Sequence, residues 1–217
     1  MKVNAKAPGM RVFRTLYFVP TVAGVVGVTL IWKQLLNASV GYVNYALRRG
    51  AELLDALPGI AIADPEPRWL SDADVALFSL VIVFAWQYVG YNAVLFLAGL
   101  QGVAAELYEA AQIDGATRWQ RFRNITLPQL APTTFFVVAT TGILALQLFS
   151  EAVILFSNFT PPGAGPDNAT LTPVGYLYQQ GFQRFAQGYA SSVAWVLFLF
   201  IFAFTFIQFQ RQRADAQ

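Results

Sequence analysis

Long apolar runs alternate with polar, charged connections along this chain. A helix that crosses about 30 Å of hydrocarbon needs roughly 20 mostly apolar residues. Four runs reach that length: about Leu16–Leu36, Val75–Leu100, Pro132–Phe156 and Ser192–Phe209. Their interiors carry almost no charge. A lone strand in lipid would leave backbone groups unpaired, so each run is predicted to be a helix. Pro20 predicts a bend in the first turns of the first run. That run follows Lys2, Lys6, Arg11 and Arg14, as a signal peptide would. It extends past signal-peptide length with no small-residue cleavage site after it, so it reads as a span. In the long polar stretch Asn37–Asp74, residues Val43–Leu57 have the pattern of an amphipathic surface helix, ended by Pro58-Gly59. The tail from Arg211 to Gln217 is expected to fray, and no internal repeat or low-complexity tract is visible.

Composition agrees with a membrane solvent. Of 217 residues, 56% are hydrophobic and 12% charged, where soluble domains carry about a quarter charged residues. The net charge of +2 matters less than its distribution. Basic residues precede the first run, recur at Arg118, Arg121 and Arg123, and follow the last run at Arg211 and Arg213. The Asn37–Asp74 stretch instead holds six acids against three arginines. The positive-inside rule then predicts cytoplasmic termini, a cytoplasmic loop around Arg118, and two outward loops. Trp32, Trp69 and Trp195 are expected near the membrane interfaces. Glu151 lies near the outer end of the third run and is expected to reach water.

Several enzyme classes are excluded by what is missing. There is no histidine and no cysteine. A serine–histidine device and a His/Cys zinc site are therefore impossible. No aspartate lies within a span, so a paired-aspartate intramembrane device has no place. No G-x-x-x-x-G-K-[ST] phosphate loop occurs, so ATP is not bound in that way.

The loop of residues 102–130 is the most informative stretch. Glu106-Leu107-Tyr108-Glu109-Ala110-Ala111-Gln112-Ile113 predicts a short helix, followed by Asp114-Gly115-Ala116 and a second short helix. Asp114 is expected to cap the second helix, and Gly115 to permit a tight turn. Ala110, Ala111 and Ala116 offer small surfaces to a partner. Leu127-Pro128 is expected to end the second helix and return the chain to the bilayer. A capped helical hairpin between spans would account for this pattern without any partner.

The string E-A-A-x-x-D-G-A, with Phe122, Ile125, Leu127 and Pro128 after it, resembles the EAA loop of ABC importer permeases at every defining position. Phe13-Arg14-Thr15-Leu16-Tyr17-Phe18-Val19-Pro20, Trp69-Leu70-Ser71-Asp72, Trp86 to Asn92, Ala98-Gly99-Leu100-Gln101 and Gly188-Tyr189-Ala190 extend the likeness to the binding-protein-dependent sugar permeases of the maltose and glycerol-phosphate type. The resemblance implies an all-α fold: a polytopic membrane helix bundle of the type I importer permease kind. Its cytoplasmic EAA loop would be a coupling helix that docks in a cleft of an ATPase subunit. Glu109, Ala110, Ala111, Asp114, Gly115, Ala116, Phe122, Leu127 and Pro128 are the residues implied at that contact, with Glu109 pairing a basic group and Asp114-Gly115 shaping the turn.

The same resemblance implies a multi-pass protein of the bacterial plasma (inner) membrane that imports a carbohydrate by alternating access. Its partners would be a second permease subunit, two ABC ATPase subunits and an extracytoplasmic sugar-binding protein, with no nucleic acid. It would bind no cofactor itself, the ATP and Mg residing on the ATPase. A non-sugar solute (amino acid, peptide or glycerol-phosphate) and a non-transporting fragment are the alternatives. Two departures stand out. Residues Ser157–Pro166 replace the Thr-Gly-Gly-Gly-Pro-like turn usual in the family. Residues 1–217 would form one permease domain lacking two spans that precede Arg14 in relatives, so Met1 reads as an internal methionine or the chain as a fragment; a naturally short permease is the alternative.

Polar and small residues at membrane depth mark a candidate solute path, because they are costly in hydrocarbon. Gln87 and Asn92 stand out in the second run, where Trp86, Val89, Gly90 and Ala93 share a helical face. Thr140, Thr141, Gln147 and Ser150 stand out in the third, with Thr141, Ala145 and Leu148 on a common face. Small-residue helix packing and threonine back-bonding to its own helix would explain the same residues without a solute.

Overall fold

The computed structural model describes residues 23–55 and 66–215. Leu16–Val22, Pro20 and Pro58-Gly59 lie outside them, as do the Phe13–Pro20 likeness and the end of the tail. The described elements are helical: α1 (Val25–Leu35), α2 (Tyr42–Asp55), α3 (Ala73–Gln101), α4 (Ala105–Ile113), α5 (Arg118–Arg121), a π-turn (Phe122–Thr126), α6 (Leu127–Gln129), α7 (Ala131–Leu146), α8 (Ser150–Leu155), a 3-10 turn (Pro166–Asn168), α9 (Pro173–Tyr178), a second π-turn (Gln179–Gln183) and α10 (Gln187–Asp215). Two stretches, Ala73–Gln101 and Gln187–Gln210, are single helices long and apolar enough to cross a membrane. Arg118–Gln129 with Ala131–Leu146 passes the same test as a pair bent by 60°. The second and fourth runs are thus each one helix, and α2 matches the expected surface helix.

Three expectations are corrected. The run Pro132–Phe156 is not one helix: α7 ends at Leu146 and α8 begins at Ser150. No glycine or proline marks the break. Phe149 leaves helical geometry at φ −142°, ψ −56°, and its ring packs on Tyr178 at 5.1 Å, while Leu148 turns into an apolar cluster. Tertiary contacts override helix propensity here. The same break turns Glu151 inward, so it is buried instead of reaching water. At the other end of the chain, α10 continues to Asp215 where fraying was expected from Arg211.

The described residues group into two compact units. One holds Ala23–Gln87 and Ala145–Leu199. Its core joins Leu36, Ala76, Leu80, Val83, Leu148, Ala152, Leu155 and Phe156, and α1 lies against α8. A polar network pins its connecting stretch. Asn44, 1% exposed, donates its amide to the carbonyls of Ala38 (3.0 Å) and Pro67 (3.1 Å) and accepts from Trp69 Nε1 at 2.6 Å. Ser79 Oγ donates to the Trp69 carbonyl at 2.8 Å. Trp69 is therefore a framework residue, and Trp32 packs edge-on against Trp86 at 5.7 Å.

The other unit holds Tyr88–Leu144 and the chain from Phe200. Here small residues let helices approach, the usual device where lipid tails supply no hydrophobic drive between helices. A Cβ on Gly142 would lie 2.8 Å from the Phe204 ring. On Gly99 it would overlap the Thr133 hydroxyl. Phe135 and Phe209 meet edge-on at 4.9 Å.

Candidate functional site

The loop predicted to carry function is a helical hairpin, and its local chemistry explains its shape. Helix α4 ends in a six-to-one and five-to-two pair of bonds: Ala116 N–H to the Ala111 carbonyl at 2.9 Å, and Gly115 N–H to the Gln112 carbonyl at 3.2 Å. This is a Schellman cap. It requires a left-handed residue, which Gly115 supplies at φ +75°. No atom lies within 4 Å of a Cβ built there. Backbone conformation, not lack of space, is the reason for glycine at this position.

Asp114 is the C-cap residue of the first helix, not the cap of the second as expected. Thr117 takes that role. Its hydroxyl accepts the Gln120 N–H at 3.3 Å, and Gln120 Oε1 accepts the Thr117 N–H at 2.7 Å. The two bonds make a capping box, which satisfies donors that would otherwise be free at the helix start.

Pro128 is also corrected: it does not end the second leg. Proline lacks an N–H and clashes with the carbonyl four residues earlier. The π-turn Phe122–Thr126 widens the helix just before it, with Leu127 N–H reaching back to the Phe122 carbonyl. The leg then continues through Gln129 and bends by 60° into α7. Tyr108 and Thr126, both missed in the sequence, tie the legs together through their hydroxyls at 2.8 Å. No sequence spacing signals that pair, whereas Thr117-x-x-Gln120 is a visible capping-box pattern.

Outside this frame the hairpin is bare. Glu109, Ala110, Asp114, Gly115, Phe122, Leu127 and Pro128 are exposed, and Ala111 and Ala116 half-buried. Ile113 is 87% exposed and Trp119 67%; the Trp119 ring stacks on Phe122 at 5.6 Å. Glu106, Glu109, Asp114, Arg118 and Arg123 form no ion pair among the described residues. Arg121 Nε is enclosed without a hydrogen-bond partner among them. The arrangement is a stiff backbone that presents charge and apolar side chains with nothing in the described chain to receive them.

The solute-path candidates divide. Asn92 and Thr141 come together, with Asn92 Nδ2 donating to Thr141 Oγ1 at 3.2 Å. Trp86, Val89 and Ala93 are uncovered and Gly90 is buried. Thr140 donates to the Phe136 carbonyl at 2.8 Å, bonding its own helix. Gln147 and Ala145 are exposed. Leu148 lies beyond the end of α7 and inside the apolar cluster, so it does not share a helical face with Thr141 and Ala145.

One charged residue in the first apolar run escaped the sequence reading. Lys33 is half-buried and donates from Nζ to the Ile154 carbonyl at 3.2 Å and to Ser157 Oγ at 2.6 Å.

Comparison with known proteins agrees with this architecture. The model of the family described as "Binding-protein-dependent transport system inner membrane component" matches residues 5–213. The lactose transport system permease protein LacF of Rhizobium radiobacter is 34% identical over 197 residues, covering 90% of this chain and 61% of that protein. The arabinooligosaccharides transport system permease protein AraP of Bacillus subtilis is 40% identical over 131 residues, covering 60% of this chain and 40% of AraP. The chain thus spans less than two thirds of the length of these relatives. Among solved structures, a bacterial ABC transporter involved in the import of the acidic polysaccharide alginate superposes with a TM-score of 0.76 at 20% identity, covering 99% of this chain and 70% of that one. The chain belongs to the family of binding-protein-dependent transport system inner membrane components, and its fold is that of a type I ABC importer permease.

Proposed function

We propose that this chain is the membrane-spanning permease of an ATP-driven importer that moves a carbohydrate into the cytoplasm of a bacterium. The observation that carries the reading is the hairpin of residues 105–129: two interlocked caps define its backbone, while Glu109 projects without an ion pair among the described residues and Ile113 and Trp119 are 87% and 67% exposed. An ATPase cleft is the receiver such a surface fits. Two ABC ATPase subunits, which hold ATP and Mg, close on ATP and displace the hairpin. That displacement rocks the spans and opens the path alternately outward and inward.

A second permease completes the cavity, and a binding protein delivers the saccharide from outside. The chain sits in the plasma membrane with the hairpin and both termini in the cytoplasm. The sugar class is supported by relatives named for lactose and arabinooligosaccharides. Asn92 and Thr141, joined at membrane depth, offer amide and hydroxyl groups of the kind that bind sugar hydroxyls.

The test is to replace Glu109 by Ala, and separately Ile113 by Asp, in the full-length permease. Co-purification of the ATPase and uptake of labelled saccharide are then measured. Loss of recruitment by about tenfold or more is expected for Ile113→Asp, which places a charge in an apolar contact. Unchanged recruitment and uptake in both variants would sink the assignment.

A further inference from the structure

Lys33 ends an apolar helix, and its ammonium is held in place. Two of its three donors go to the Ile154 carbonyl and to Ser157 Oγ. Both acceptors are neutral, and no acid pairs with Lys33 among the described residues. The cation is therefore fixed but not neutralised. It lines a cavity of about 500 Å³ together with Gln34, Asn37, Ser71, Asn158 and Phe159. The wall sets these donor groups beside apolar ones, Leu30, Leu36, Leu70 and Leu155 among them, so an anion held there would face the ammonium in a partly apolar recess.

The segment supplying Asn158 and Phe159 is built in advance. Gly163 N–H bonds the Phe156 carbonyl at 3.1 Å, and Thr170 N–H bonds the Ala164 carbonyl at 2.9 Å. The buried Thr170 hydroxyl donates to the Gly163 carbonyl at 2.9 Å. Gly163 and Gly165 hold left-handed turns at φ +89° and +68°. A loop ordered this way loses little entropy when something docks on it. A lysine that served a lipid headgroup would extend outward along its flexible stem; this one is tethered by backbone and hydroxyl beside a concave wall.

We infer that this cavity is a socket for an acidic side chain of the extracytoplasmic binding protein, with Lys33 as its counter-ion. The inference rests on the importer reading and on the outward placement of this end of α1. It assigns a docking contact to the stretch Ser157–Pro166, where this chain departs from the usual turn of its family. Charge pairing at such a rim steers encounter and makes affinity depend on salt.

The experiment uses the complete transporter in neutral phosphatidylcholine vesicles. The readout is the concentration of binding protein that half-stimulates ATP hydrolysis, at low and high salt. Lys33→Met is expected to raise that concentration by about tenfold and to flatten its salt dependence. Lys33→Arg is expected to keep the salt dependence. Ser157→Ala, which removes a tether but no charge, is expected to raise the value less than Lys33→Met does and to keep its salt dependence. A Lys33→Glu transporter is expected to regain stimulation when the facing acid of the binding protein is replaced by lysine.

Wild-type behaviour of Lys33→Met overturns the socket, as does a Ser157→Ala loss equal to it, which would mean that Lys33 only pins the loop. An effect seen solely in anionic phosphatidylglycerol vesicles also overturns it, making lipid the counter-ion. A wild-type complex that no binding protein stimulates overturns the importer reading together with the socket, whereas the other failures leave that reading standing.

Discussion

Gly115 offers a test that separates conformation from space. It sits at φ +75° with no atom within 4 Å of a built Cβ. Alanine there meets no steric obstacle, and the cost is only that of placing an L-residue in the left-handed region, about 1–2 kcal/mol. Under the proposed coupling role, if that cost falls wholly on the docking-competent hairpin, the affinity of the chain for an ATPase subunit drops by about 5- to 30-fold. Asparagine tolerates the left-handed region far better, so Gly115→Asn is expected to lie near wild type although it is larger than alanine. Valine, β-branched, is expected to be worst. The assay is titration of detergent-solubilised, full-length permease with labelled ATPase for the series Gly, Asn, Ala, Val. Ranking by size, with Asn below Ala, would refute the conformational account and mean that the ATPase packs closely over the turn. A flat series would mean that the Schellman turn does not govern docking.

Two further perturbations test the frame. Trp69→Phe leaves the carbonyl oxygen of the buried Asn44 amide without its 2.6 Å donor and is expected to destabilise the protein by about 1–3 kcal/mol, read as a lower thermal unfolding midpoint in detergent. Gly142→Leu forces a side chain into the Phe204 ring, 2.8 Å from the first added carbon. It is expected to cost about 1–3 kcal/mol, and Phe204→Ala in the same chain is expected to recover part of it.

The spans were legible where length alone decides. An apolar run has one solution in lipid, so α3 and α10 follow from composition. The break between α7 and α8 was not legible, because Gln147, Leu148 and Phe149 are ordinary helix residues and the reason to leave the helix is supplied by Tyr178 and the Leu36 cluster. The hairpin's two helices were legible, but its caps were misassigned. By propensity Asp114 suits an N-cap, but Asp-Gly after a helix closes it, with glycine in the left-handed position. Thr117 and Gln120 carried the true start signal. Pro128 read as a stop because a proline in an α-helix breaks a bond; the π-turn before it removes that conflict. Lys33 and the Asn44–Trp69 pair, 25 residues apart, depend on partners distant in sequence, which no local pattern reports.

The two caps of the hairpin leave no slack in the chain. Ala116 closes the first cap and Thr117 opens the second, so no residue between Ala111 and Gln120 is spare. Lengthening or shortening this stretch by a single residue would break one of the caps, whereas many substitutions would not. Evolution is expected to have treated the length of this turn as more nearly fixed than its letters. An aligned set of such permeases would then tolerate changes in Gln112 or Arg118 yet admit almost no gap between them.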